Sequence, residues 1–179
     1  MAITFKQKMS YSEALKFAEN KNSWLWGLIY HGLPLVKLEL VYFEYIIVKA
    51  RSESEPSLIQ KIRGKSGRKT RKTFEILFNG TSGNVALITD MPEIEEIELT
   101  GEAHVQYTQF PDYDIENNTR KLVHKLTHRH LGGHHVVEII EKIPVYRPFY
   151  VAYYGEYQLG SKVRYITMAA DYGRNQRAR

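Results

Sequence analysis

The sequence predicts an α+β fold: a mainly antiparallel sheet with two principal helices, built by pseudo-duplication of a helix-strand-strand unit. Three observations carry this. Two segments repeat apolar residues at helical spacing. Several other runs are dense in β-branched and aromatic residues, which suit a pleated, half-buried surface. The order helix, strand, strand occurs twice along the chain.

Ser10-Tyr-Ser-Glu13 has the pattern of a capping box, in which hydroxyl and carboxylate satisfy the first free N–H groups of a helix. Tyr11, Ala14, Leu15 and Ala18 follow at helical spacing, so a first helix is expected from about Ser10 to Asn20. Leu38 to Ala50 (LELVYFEYIIVKA) reads as a strand buried on much of both faces. Arg51 to Arg71 is polar, carries Pro56, Gly64 and Gly67, and reads as a long loop with a helical turn at Ser57 to Ile62. Thr73 to Phe78 is a strand, Asn79-Gly80 a tight-turn dipeptide, and Asn84 to Thr89 the next strand.

Met91 to Gly101 is acidic, with Ile94, Ile97 and Leu99 between the carboxylates, and fits neither period cleanly. Phe110 to Asp114 is a loop and cap. Ile115, Thr119, Leu122, Val123 and Leu126 then form a second amphipathic stripe, which Gly132-Gly133 ends. Val136 to Ile143, Phe149 to Tyr154 and Val163 to Met168 read as three further strands.

The duplication has a residue-level echo. Leu40 to Lys49 lies on Pro144 to Tyr153, with Val41-Tyr42 on Val145-Tyr146 and Tyr45 on Phe149. Lys72 to Asn84 lies on Lys162 to Arg174, with Lys72 on Lys162, Ile76 on Ile166 and Gly83 on Gly173. The expected division is a first α+β half over 1–90 and a second over 91–179, as two units or one compact domain.

Composition narrows the function classes. The chain has 179 residues, 43% of them hydrophobic, enough to bury a core. It has no cysteine, so disulfides, thiolate nucleophiles and cysteine zinc sites are excluded. The N-terminal residues carry no apolar h-region. The longest apolar run, Trp24 to Val36, is interrupted by Gly27, His31, Gly32 and Pro34 and falls short of the ~20 residues of a membrane span. Trp24 and Trp26 are expected in the core, and the expected location is the cytoplasm. Net charge is +5, which favours anionic partners.

The unit of aromatic strand, loop, and strand ending in Asn79-Gly80-Thr81-Ser82-Gly83 resembles PepSY-like hairpin modules, and the second copy, ending in Asp171-Tyr172-Gly173, is similar. Those are small bacterial α+β units with a helix packed on antiparallel sheet. The resemblance implies a binding or regulatory module rather than an enzyme, and it carries over no functional residues.

Two clusters invite chemistry. His124, His128, His130, His134 and His135 crowd one stretch, and His124 and His128 have the i, i+4 spacing that chelates a metal from one helix face. A divalent metal is the cofactor such a cluster would hold. The zinc-protease pattern needs Glu after the first His, where Lys125 stands. The Thr127-His-Arg-His130 run lacks the Asp-His pair of metallo-β-lactamase-like hydrolases. Helical geometry places His124 and His128 opposite Ile115 and Leu126, facing solvent.

The second cluster is basic: Lys61, Arg63, Lys65, Arg68, Lys69, Arg71 and Lys72. Such a stretch can bind phosphates by displacing counterions. Its Gly64-Lys-Ser-Gly67 is followed by a strand rather than the helix of K homology domains, and it lacks the Walker A spacing. The plainer reading is a solvated loop, or one neutralised by the acidic 90–102 stretch.

Tyr146, Phe149, Tyr150, Tyr153, Tyr154, Tyr157 and Tyr165 form an aromatic series whose alternate members fall on opposite strand faces. No Asp or Glu pair stands at catalytic spacing, and no Ser lies in a nucleophile elbow. The sequence therefore points to a non-enzymatic bacterial binding module, with a protein partner or self-association. Nucleic-acid binding through 61–72 is the first alternative and a metal-dependent enzyme at the histidines the second.

Overall fold

The computed structural model describes residues 1–19, 33–54, 70–99, 103–131, 135–155 and 164–171. In chain order the elements are β1 (Ala2–Phe5), α1 (Tyr11–Glu19), β2 (Leu35–Ser54), β3 (Thr70–Asn79), β4 (Val85–Leu87), β5 (Ile94–Ile97), β6 (His104–Gln106), α2 (Asp112–Leu131), β7 (His135–Tyr154) and β8 (Arg164–Ala169). This is an α+β fold. The strand order is β4-β3-β2-β7-β1-β5, with β6 beside β2 and β8 beside β7. The β1–β5, β2–β3, β3–β4 and β7–β8 pairs are antiparallel, and β1–β7 and β2–β6 are parallel.

Two compact units share the long strands β2 and β7. The first draws its described residues from Met1–Phe43, Pro92–Gln106 and Tyr146–Asn175, the second from Glu44–Met91 and Tyr107–Val145.

In the first unit, α1 opens as its sequence predicts. Ser10 N donates to Glu13 Oε2 at 2.8 Å, and Glu13 N donates to Ser10 Oγ at 3.3 Å. Ala14 and Ala18, one turn apart, are the buried face of α1. They pack on Tyr150, Ala152 and Tyr154 of β7 and on Met168 and Ala170 in and after β8. Small side chains on the helix leave room for the tyrosines, and Tyr154 Oη donates to the Ala18 carbonyl at 2.8 Å, so the buried hydroxyl is satisfied.

In the second unit, α2 lays Ile115 and Val123 on Ile46, Val48 and Ala50 of β2 and on Phe78 and Ile76 of β3. Its stripe includes two buried threonines. Thr119 Oγ1 donates to the Ile115 carbonyl at 2.7 Å and Thr127 Oγ1 to the Val123 carbonyl at 2.8 Å, which removes the cost of burying the hydroxyls.

Several expectations are corrected. Val136 to Ile143 and Phe149 to Tyr154 are one strand, β7, which runs through Pro144 and Pro148. Proline's φ is compatible with extended chain, and what it removes is a donor. The β7–β8 ladder starts at Phe149, so neither proline falls within it, and the Pro148 carbonyl still accepts from Ala170 N at 2.9 Å. The acidic segment resolves as strand β5, paired with β1, and β1 and β6 are too short to show a period. At the β3–β4 turn the positive φ falls on Gly83, at 71°, rather than on the Asn79-Gly80 pair. Asn79 Oδ1 accepts from Thr81 N and Ser82 N at 2.9 and 3.0 Å and closes a wider turn. Trp24, Trp26 and the helical turn at 57–62 lie outside the described residues.

Candidate functional site

Strand alternation sorts the side chains of the first unit. Leu38 and Leu40 of β2, Tyr150, Ala152 and Tyr154 of β7, and Ile166 and Met168 of β8 pack with α1. Their neighbours Lys37, Glu39, Phe149, Tyr153 and Tyr165 therefore share the opposite face. That face holds a polar network that joins β2 to β7.

Its centre is Glu39. Tyr153 Oη donates to Glu39 Oε1 at 2.7 Å, and the Lys37 ammonium pairs with Glu39 Oε2. Burial would raise the Glu39 carboxyl, but the hydrogen bonds from Lys37 and Tyr153, with the charges of Lys37 and His104, outweigh it and hold the group below its usual range. Burial, then the hydrogen bond to Glu39, pushes the Tyr153 phenol up to about 12. Tyr153 lies opposite Tyr165 on β8, and Tyr165 is 65% exposed.

The same face carries a buried ion pair. Arg147 Nε donates to Asp171 Oδ2 at 2.9 Å and Nη2 to Oδ1 at 3.1 Å, with both side chains under a tenth exposed. This is the bidentate geometry that makes such pairs strong. The guanidinium also lies 5.2 Å from the centre of the Phe149 ring, against which Phe43 packs edge-on at 5.1 Å.

This arrangement ties β2 to β7, and β7 to the end of β8, through paired charges and hydrogen bonds. Glu39 is ionised and doubly engaged, Tyr153 keeps its proton, and Arg147 and Asp171 satisfy each other.

The histidine and basic clusters singled out by sequence are described only in part. His124 is exposed on α2, as helical geometry predicts. His128 and His130 belong to α2 and His135 opens β7, but their side chains, like His134, lie outside what is described. Among the described residues no group of three or more His, Cys, Asp or Glu is placed to hold a metal ion. Lys61, Arg63, Lys65, Arg68 and Lys69 lie outside the described residues. Arg71 and Lys72 are exposed on β3, and Arg71 Nε pairs with Glu53 at 2.7 Å. In the acidic stretch, Glu93 is engaged by the N-terminal segment, through Lys6 and Lys8, both at 3.2 Å.

Sequence reasoning found Tyr153 and Tyr165 but missed Lys37, Glu39, Arg147 and Asp171. A signal was present: Arg147 is a single charge inside an apolar strand run, and Glu39 stands between leucines with Lys37 two residues away, where an ionised group needs a partner.

No family model, curated protein or solved structure matches this chain. Among the described residues no helix is long and apolar enough to cross a membrane.

Proposed function

We propose that the chain is a non-enzymatic binding module acting through protein–protein contact, with another protein or a second copy of itself as partner. One observation carries the reading. The ionisable groups on the first unit's sheet face opposite α1 are closed on one another, while Tyr165 beside them is exposed. Internally paired charges give a stiff surface, and an exposed tyrosine gives it a contact group of low entropy cost. The resemblance to PepSY-like bacterial modules agrees with a non-catalytic role. Molar mass by light scattering across a concentration series, with Tyr165→Ser as the control, tests self-association. Affinity capture with the same control tests a different partner. Robust turnover of a hydrolase substrate panel by the pure protein would sink the proposal.

Nucleic-acid binding through 61–72 is a second reading, favoured by the net charge of +5 and by the exposure of Lys72. Retention on random DNA and RNA oligonucleotides at physiological salt, abolished by neutralising Lys65, Arg68, Lys69 and Arg71, would establish it in place of the first.

A further inference from the structure

We infer that the chain is a tandem duplication of one β-α-β-β unit, β1-α1-β2-β3 and β6-α2-β7-β8, in which each copy's strand-helix arm is exchanged onto the other copy's hairpin.

The sequence echo and the hairpin registers agree residue for residue. The echo lays Tyr45 on Phe149, and its ungapped second block lays Asn79 on Ala169. In the structure Tyr45 pairs with Asn79, and Phe149 pairs with Ala169. Val48 pairs with Ile76, and their counterparts Ala152 and Ile166 pair likewise. Past the ladder, Gly80 N donates to the Glu44 carbonyl at 3.1 Å, and the corresponding Ala170 N donates to the Pro148 carbonyl at 2.9 Å. A one-residue slip in either hairpin would break every one of these matches, because it would turn each side chain to the other face.

Burial follows the same correspondence except at Phe43 and Glu44, half-buried where Arg147 and Pro148 are buried. Val41 and Val145 are buried, Tyr45 to Val48 and Phe149 to Ala152 are buried throughout, Lys49 and Tyr153 are both half-buried, and Ala50 and Tyr154 are buried again. Val36 and Ile140, which correspond, are 40% and 41% exposed. Both long strands also change parity at one place. Leu35 and then Leu38 face α1. Ile139 packs with α2, and Lys142 then bonds Glu116 of α2. One extra residue, a β-bulge, at the same position of each copy would account for both changes.

The arms correspond too, and here the exchange is visible. Met9 and α1, of the first copy, pack on Tyr150, Ala152 and Met168 of the second. Phe110 and α2, of the second, pack on Ile46, Val48 and Phe78 of the first. Ala14 N donates to the Ser10 carbonyl and Ile115 N to the Pro111 carbonyl, the same first-turn bond. The leading strands complete the pattern: Thr4 of β1 runs parallel beside Tyr146 of the second copy, and Val105 of β6 runs parallel beside Tyr42 of the first. Tyr42 and Tyr146 are echo partners. The single chain thus has the connectivity of an arm-exchanged dimer fused end to end.

Two experiments on the full chain test this. The first exploits positions where the copies differ. Arg147 and Asp171 correspond to Phe43 and Thr81, so the repeat builds the same place without an ion pair. Arg147→Phe alone leaves Asp171 buried without its cation and should lower Tm by about 10 °C or more. Arg147→Phe with Asp171→Thr should recover most of that loss. Tyr153→Lys with Tyr165→Glu, which installs the Lys49–Glu75 cross-strand pair, should keep Tm within about 4 °C of the parent. Double variants no more stable than their single members overturn the correspondence. The second experiment places a protease site after Leu99, between the copies. After cleavage the two pieces should co-elute, with the circular dichroism spectrum unchanged, until urea separates them. Pieces that part without denaturant overturn the exchange.

Discussion

Tyr153 and Glu39 stand more than a hundred residues apart in the chain and meet at 2.7 Å, phenol to carboxylate, on the sheet face of the first unit opposite α1. The bond joins β7 to β2 and sets the protonation of both groups. Burial and this bond raise the phenol to about 12 from its ordinary 10.0. The folded protein therefore holds that proton more tightly than the unfolded chain. The associated stability is intact below pH 10 and is lost as pH rises toward about 12. Tyr42 and Tyr150 are also raised, so phenolate absorbance titrated through that window should fall by the equivalent of one tyrosine in Tyr153→Phe. An unchanged high-pH titration in the variant would refute the assignment.

Glu39 titrates in the opposite sense. Burial alone would raise its pKa, and the donors Lys37 and Tyr153 reverse the shift. A depressed carboxyl contributes stability above its unfolded pKa and loses it as pH falls through the folded value. Lys37→Met removes one donor and leaves the burial. The acid-unfolding midpoint should move to higher pH, and stability at neutral pH should fall by about 1–3 kcal/mol, the worth of a charged hydrogen bond. In Glu39→Gln the same Lys37→Met change should have little effect on the acid midpoint. Urea titrations over a pH series read both.

Lys142 makes a different kind of contact. It reaches from β7 to Asp112 at 3.0 Å and Glu116 at 3.2 Å, both near the start of α2. The hydrogen bond to Asp112, against a smaller effect of burial and with that to Glu116, raises its pKa. The carboxylates are themselves favoured at a helix N-terminus. These groups are substantially solvated, so Lys142→Ala should cost only about 0.5–1 kcal/mol at low salt and less at high salt. A loss independent of salt would assign the residue a packing role instead.

Most of the fold was legible because it is local. The Ser10–Glu13 box, the Ala14–Ala18 and Ile115–Thr119–Val123 stripes, and the β-branched runs each declare themselves within a few residues. β1 and β6 did not, since three or four residues cannot show a period and their pairing with β7 and β2 is set by distant chain. The candidate site was less legible still. The tyrosine series was visible, but the partners of Glu39 and Arg147 are chosen by which strands become neighbours. The histidines and the basic run stood out by composition, which says nothing of which side chains the fold brings together.

The β3–β4 turn separates two ways a glycine can be required. A Cβ on Gly80 would press on the Glu44 carbonyl and lie 2.8 Å from Thr108 Cβ. Gly80 N already donates to that carbonyl, and Thr108 N is held by Glu44 Oε2 at 2.8 Å, so neither neighbour can retreat freely. Gly80→Ala should therefore cost about 1–3 kcal/mol, as overpacking does. Gly83 meets a softer neighbour, since its Cβ would lie 2.8 Å from Phe110 Cζ, but its φ of 71° adds a backbone cost of about 1–2 kcal/mol for alanine. Phe110 stacks edge-on against Phe78 at 5.6 Å, so Phe110→Leu has its own cost. In a double-mutant cycle the steric part of Gly83→Ala should shrink beside Phe110→Leu while the φ part remains. Gly80→Ala should show no such relief, because what it meets is the backbone of β2 and the Cβ of Thr108. Equal coupling of both glycines to Phe110, measured by urea unfolding, would show that the turn moves as one body and that the close approach at Gly80 is not fixed by β2.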